Sequence, residues 1–488
     1  MAYEKLTMYM KNPIEFSLFL LLFFLLTSFS NLCYSQTWSA RLIISGADRC
    51  VNPDLAIDKY GGLHCVWVQV FGSDITRILY SKSLDNGSSW SNPIPISTNN
   101  DIWHGDPHIV ADTNGNLYVT YDYDVGAWPD VKICYKKFDA VSQQWGPQIE
   151  IGTGYESRTT IDHNNRIYFF WFNGTEFFRS LEGNVLSDTM VLFYNPDVAC
   201  FLHDISVDLS NNLHCIGNRT DGEHSKTAYF QYIDGEWMPF LDLSSKSSFV
   251  ASIGLFSNNV PAFTWVQRIP ESWLPTKGTY YAEYIADSVS SPLLLKDSTE
   301  YVSLAVDRND CIHVVETEEN DSAYQLVHRF KANGSWQSQI IEENSFYLSA
   351  IDLQAGTSCI HLVYGMTDTV GDFSSYTQFS RIFYRRLDIP PGIRSQNNHP
   401  GYIVFPNPFQ RTITFKMQDG NSKIDGFAIF DMVGRLIYTA PKERFSGRDM
   451  QITWDGLTNS GKVAEDGFYI LTVFLDSGII NVKIQKDN

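Results

Sequence analysis

The sequence has no basic run. Across 488 residues, 36 Lys and Arg stand against 55 Asp and Glu, a formal charge of −19. With no cation cluster to meet a phosphate backbone, nucleic acid is excluded as a partner. No CxxC occurs, and no cysteine sits at a zinc spacing. Beyond residue 29 no apolar run approaches the roughly 20 residues a membrane-spanning helix needs. Charged residues make up 19% and hydrophobics 44%, proportions of a folded chain and not a disordered one. What is abundant is aromatic: 12 Trp, 26 Tyr and 32 Phe, 14% of the chain. Wide flat side chains suit a pleated, half-buried surface, so the composition favours β-structure.

The N-terminus reads as an export signal. Lys5 and Lys11 precede an apolar stretch from Phe16 to Phe29, about 14 residues and short for a membrane span. Cys33-Tyr34-Ser35 places small residues before Gln36, so residues 1–35 are expected to be removed. Two competing readings are a lipoprotein anchored at Cys33, against which the bulky Leu32 argues, and a retained anchor. Cysteines 50, 65, 134, 200, 215, 311 and 359 then remain, an odd set for an oxidising compartment, and at least one stays unpaired. Four of them fall on repeated strand positions, as small core residues do.

Self-similarity decides the architecture. Asp54 to Trp67 reads strand, turn, strand, with Asp58 opening the turn and Gly62-Leu63-His64 leaving it. The pattern returns at Asp112, Asp162, Asp208 and Asp307, and in two copies without the Asp, at Leu255 and Ala355. The spacing is roughly fifty residues, the period of a propeller built from four-stranded sheets. Turns such as Asp112-Thr113-Asn114-Gly115-Asn116 supply residues that accept positive φ and cap their own backbone. A Trp usually closes the third strand: Trp90, Trp145, Trp237 and Trp336. The last repeat stops after Arg381 to Leu387, while Trp38 to Ser45 stands as an orphan strand at the other end. Pairing the two termini in one blade leaves no open sheet edge. The expected fold is all-β: a seven-bladed β-propeller over 36–388, a Pro- and Asn-rich linker over 389–400, and a separate unit over 401–488.

The turn Ser83-Leu84-Asp85-Asn86-Gly87-Ser88-Ser89-Trp90 resembles the Asp-box (BNR repeat) of sialidase-like propellers, with Ser83, Asp85, Gly87, Ser89 and Trp90 at its fixed positions. Asp234 to Trp237 and Asn333 to Trp336 are eroded copies. In that family the box is a folding turn and not an active site, and its enzymes mostly have six blades, so seven repeats depart from them. Over 401–488, four ordered motifs (Tyr402 to Phe409, Ile429 to Arg435, Trp454 to Lys462, and Gly467 to Leu471 with the terminal Lys483 to Lys486) resemble the type IX secretion system (type A) sorting domain. That resemblance implies an immunoglobulin-like β-sandwich, recognition by the type IX machinery and passage across the outer membrane to the medium or the cell surface. The alternative is a passive sandwich appended to a carbohydrate-active module.

Candidate chemistry is sparse, and no catalytic or metal-binding residue is assigned. His64, His214, His313 and His361 share one repeat position, so a propeller spreads them around a ring, and Tyr118 and Tyr168 replace them in other copies; the reading is structural. The turn aspartates resemble half of an oxygen-ligand calcium loop, but no bidentate Glu follows, and hairpin capping explains them without structural calcium or any other cofactor. His104-Gly105-Asp106 is read as an inter-blade loop, with His104 and Asp106 as binding candidates. Trp103 and Trp128 are candidates for stacking on sugar rings; Trp171 is another, though core packing competes for all three. Sialidases use a Tyr nucleophile, and the family resemblance implies three arginines on the substrate carboxylate. The first belongs to an Arg-Ile-Pro motif, but Val51 stands at its place, and the literal match Arg268-Ile269-Pro270 falls in the fifth repeat. The function expected is a secreted or surface propeller binding a glycan or a surface protein without catalysis. The alternatives are a glycoside hydrolase of the sialidase type and a purely structural surface protein.

Overall fold

The structure, a computed structural model, describes residues 37–46, 49–71, 75–98, 102–124, 130–192, 199–220, 225–269, 277–285, 288–319, 323–332, 335–344, 348–367, 380–389, 402–405, 409–417, 424–431, 435–440, 451–475 and 478–486. Residues 1–36, Trp128 and residues 390–401 lie outside them, and with them the expected signal peptide and nearly all of the expected linker. Every regular element among the described residues is a strand.

Residues 42–388 form seven antiparallel sheets, numbered here by their innermost strands. Those strands are Cys50–Ile57, His104–Ala111, Tyr155–Ile161, Ala199–Val207, Ser248–Leu255, Thr299–Val306 and Leu348–Ala355. Each contacts the next, and the seventh contacts the first, so they surround a central channel of 680 Å³. Every inner strand carries a bulge near its start. In four of them the bulge holds a non-glycine residue at positive φ: Asn52, Asp106, Glu156 and Ala350. Apolar residues alternating on each strand pack between neighbouring sheets, with Trp67, Phe169 and Trp265 wholly buried. All seven described cysteines are free, and six are buried, filling small gaps in that packing.

The termini meet in the seventh sheet. Leu42 and Ile43 pair with Tyr384 and Phe383, and Trp38 bridges Leu387. The regular strand is shorter than Trp38 to Ser45, and it buries less than its aliphatic run suggests: Trp38 and Ile44 are buried, but Ile43 is half exposed on this outermost edge. Side chains reinforce the seam. Trp38 Nε1 donates to His328 Nδ1 of the sixth sheet at 3.3 Å, and Arg41 meets Glu342 at 3.1 Å. From the first sheet, the Ser83–Trp90 turn docks on the same seventh sheet. Arg386 Nη1 donates to Asn86 O, and Trp90 packs edge-on to Tyr384. Inside that turn Asp85 accepts from Ser83 Oγ, Ser89 N and Ser89 Oγ, while Gly87 sits at φ +80°. A Cβ at Gly87 would lie 1.9 Å from the Tyr384 hydroxyl, so only glycine fits.

Residues 402–486 form two sheets around their own core. One holds Tyr402–Phe405, Ile413–Met417 and Gln451–Trp454; the other holds Ile424–Asp431, Leu436–Thr439, Gly467–Leu475 and Gly478–Lys486. Phe415 and Trp454 from the first meet Ile429, Val473 and Ile484 from the second, which makes a β-sandwich.

Candidate functional site

The repeated histidines do not line the channel. His64, His214 and His313 are each buried in their own sheet between the turn aspartate and a third-strand partner, while His361, whose turn lacks the Asp, meets the third-strand Tyr384 hydroxyl at 2.8 Å. Asp58 Oδ1 accepts from the amides of Tyr60 and Gly62, while its Oδ2 faces His64 Nε2 at 3.2 Å and His64 Nδ1 meets the Tyr80 hydroxyl at 2.8 Å. Asp208, His214 and Tyr229 repeat this chain, and Asp307, His313 and His328 vary it. Burial opposes ionisation of Asp58, Asp208 and Asp307, yet bonds from the histidines and turn amides outweigh it and hold all three below the usual carboxylate range. Among the described residues no group of three His, Cys, Asp or Glu is arranged to hold a metal ion.

His104-Gly105-Asp106 is not a loop. It opens the inner strand of the second sheet, because His104 pairs with Tyr123 and Gly105 with Asp122 before the bulge. His104 is fully buried, its Nδ1 donating to Thr76 O at 2.9 Å, and burial lowers its pKa. Asp106 lines the channel in a bulge, accepting from Asn52 Nδ2 at 3.0 Å. Trp103 packs over Gly105, where a Cβ would come within 2.4 Å of its ring. Trp171 is a core residue stacked on Phe177.

Two features lay beyond the sequence pattern. The first is a set of inter-sheet latches, made by the residue four places before the one that opens each turn, which in the fifth and seventh sheets is Phe256 and Gly356, one residue on from the Leu255 and Ala355 that the repeat suggested. Asp54 accepts from Ile109 N at 2.6 Å, Asp204 from Ile253 N at 3.0 Å and Ser252 from Leu304 N at 3.1 Å. Ser303 accepts from Leu353 N at 3.2 Å, and Asp352 returns to Leu55 N at 2.7 Å, closing the circle. His108 fills the same place in the second sheet and meets Asp54 at 3.2 Å. The third sheet has Arg158 there, a donor, which bonds the carbonyls of His203 and Ser157 at 3.2 and 2.9 Å.

The second feature is an open cleft of 820 Å³ beside Arg158, formed by the third, fourth and fifth sheets. Glu156, Arg158, His203, Lys246 and Arg268 bring its charge and proton chemistry, Phe201 and Phe249 its aromatic faces, and Asn218 and several serines its neutral polar groups. Its size falls within the range of small-ligand sites. Arg268, which the sequence offered only as a stray motif match, is one of its walls. The acids nearby are pushed towards their neutral forms. Burial raises Glu156, and raises the fully buried Glu176 to about 8 despite the opposing charge of Arg158. Burial also raises Asp204. The His203 imidazole is driven down to about 3 by burial and by Arg158, so it stands neutral, with its Nε2 buried and unpartnered.

No family model and no curated protein matches the chain. Solved structures do. An ulvan lyase, a polysaccharide lyase, is 11% identical with a TM-score of 0.51, over 70% of this chain and 95% of its own. A protein of unknown function from Dyadobacter fermentans is 8% identical, TM-score 0.47, over 72% and 98%. The NanB sialidase from Streptococcus pneumoniae is 12% identical, TM-score 0.43, over 71% and 70%. At such identities the likeness concerns fold alone, and the fold that this chain shares with the ulvan lyase is the β-propeller.

Proposed function

We propose that the propeller is a saccharide-binding module that takes its ligand in the cleft between the third, fourth and fifth sheets, outside the cell. The cleft carries the reading. It combines aromatic faces at Phe201 and Phe249 with the neutral polar side chains of Asn218, Ser225, Ser247 and Ser248, the mixture by which apolar sugar faces and hydroxyls are held. The ulvan lyase, which shares the fold, acts on a polysaccharide. Residues 401–488 would direct export through the type IX machinery, on the strength of their four ordered motifs.

A glycan array probed with the full chain should return saccharide ligands, with Phe249→Ala weakening them about tenfold. An array without ligands, or a variant that binds as well as the parent, refutes the assignment. Deleting 401–488 should leave the propeller in the periplasm, and unchanged surface levels would refute the export role.

A hydrolytic reading has one observation in its favour. Glu156 lines the cleft at positive φ with its pKa raised by burial, as a general acid requires. Sialidase chemistry is not what it suggests, since no tyrosine lines the cleft among the described residues. A fluorogenic sialoside should therefore remain intact.

A further inference from the structure

We infer that the cleft takes an acidic saccharide, whose carboxylate or sulfate groups are met by Arg158, Lys246 and Arg268. The inference rests on the saccharide reading above and adds the charge of the ligand. Elsewhere in the propeller several arginines and lysines have carboxylate partners, Arg219 with Asp242 at 2.6 Å, Lys331 with Glu283 at 2.7 Å and Arg385 with Glu342 at 2.7 Å, while Arg179 and Lys136 bond backbone carbonyls at scattered places. In a chain with 55 acidic residues such partners are plentiful. Yet among the described residues no carboxylate pairs with Arg158, Lys246 or Arg268, and all three line one cleft.

Arg158 is the most telling of them. It breaks the latch pattern, placing a cation where five other sheets place an acceptor. It is half-buried, and a desolvated guanidinium is costly without a counter-charge. Glu156, Glu176 and Asp204 lie near enough to feel its charge, but none of them forms an ion pair with it among the described residues, and burial raises the pKa of all three. A ligand anion would complete the set, since a guanidinium can hold a carboxylate or sulfate through two parallel hydrogen bonds. His203 Nε2, buried and unpartnered at the same wall, offers a further polar contact.

The test is titration calorimetry of the full chain with polygalacturonate, dextran sulfate, neutral dextran and polyglutamate. Binding of either acidic polysaccharide, weakening with salt and absent for neutral dextran, is the expected result. Which of the two binds assigns the anion as carboxylate or sulfate ester. The double variant Lys246→Ala/Arg268→Ala removes exposed side chains, so it should melt like the parent while binding about tenfold or more weakly. Neutral dextran binding as tightly as the acidic polymers overturns the inference and leaves the saccharide reading intact. Polyglutamate binding as tightly as polygalacturonate overturns both. Unchanged affinity in the double variant, or binding of neither acidic polysaccharide, overturns the inference.

Discussion

The two ends of each inner strand are built on opposite principles. At the turn end the same solution recurs in five of the seven sheets: an aspartate accepts two amides of its own hairpin, and a His or Tyr is buried beside it. Those at Asp58, Asp208 and Asp307 are held ionised. At the opposite end the carboxyls differ from sheet to sheet and are pushed the other way. Burial raises Asp122, Glu156, Glu176, Asp204 and Asp352, with the Asp106 charge adding to the effect on Asp122 and the Asp54 charge on Asp352. The turn end satisfies itself and needs nothing from outside. The cleft end keeps cations without a carboxylate partner among the described residues, beside acids whose pKa values burial raises. Repetition marks what folds the ring, and the proposed ligand site lies where the repetition breaks, at Arg158.

The severest way to break this contrast is to open the ring, which should disable both ends together. Removing residues 37–46 exposes the seventh sheet and strips Trp38 and Ile44 from the core, a loss of about 5 kcal/mol. A fall in melting temperature of about 10 °C or more should follow. A truncated chain melting like the parent would show that terminal pairing is dispensable.

Asp208→Ala attacks the turn end alone. It leaves the amides of Ser210 and Asn212 without their acceptor and His214 without its partner, at a cost of about 3 kcal/mol. Chemical denaturation should show that loss, while the folded fraction binds cleft ligands as before. Altered affinity per folded molecule would mean that the two ends are coupled.

The smallest effect sharpens the contrast from the cleft side. Glu176 is raised to about 8 in the folded chain, above its unfolded value near 4.5. Its contribution is therefore fully present below pH 4.5 and is lost as pH rises through about 8. Glu176→Gln should be close to neutral in acid and gain relative stability as pH rises between about 4.5 and 8. A difference between the two proteins that stays flat with pH would mean that Glu176 is ionised, and Arg158 would then have its counter-charge inside the fold.

Much of the fold was readable because its signals are local. The turn aspartate and its histidine lie six residues apart, and the Ser83–Trp90 turn closes on itself. The fifty-residue period, the orphan strand at Trp38 and the unfinished last repeat all pointed to the seam that the structure places in the seventh sheet. The candidate site was hardly readable at all. From sequence alone His104 reads as a loop residue, because the bulge after it breaks strand alternation and without the ring no neighbour explains its burial. The one available signal was the polar residue four places before each turn, and it becomes meaningful only once a latch joins adjacent sheets.

The sequence by itself determined the strand–turn–strand unit, its repetition and the change of character after residue 400, because hydrogen bonds within a hairpin and alternating burial act over a few residues. Only the tertiary structure decided where function can sit. Arg158 lies on an inner strand, Lys246 precedes another and Arg268 ends a second strand, at three unrelated places in the repeat. Their convergence follows from ring closure and from the bulges that re-aim each inner strand, and burial then sets which neighbouring acids keep their protons.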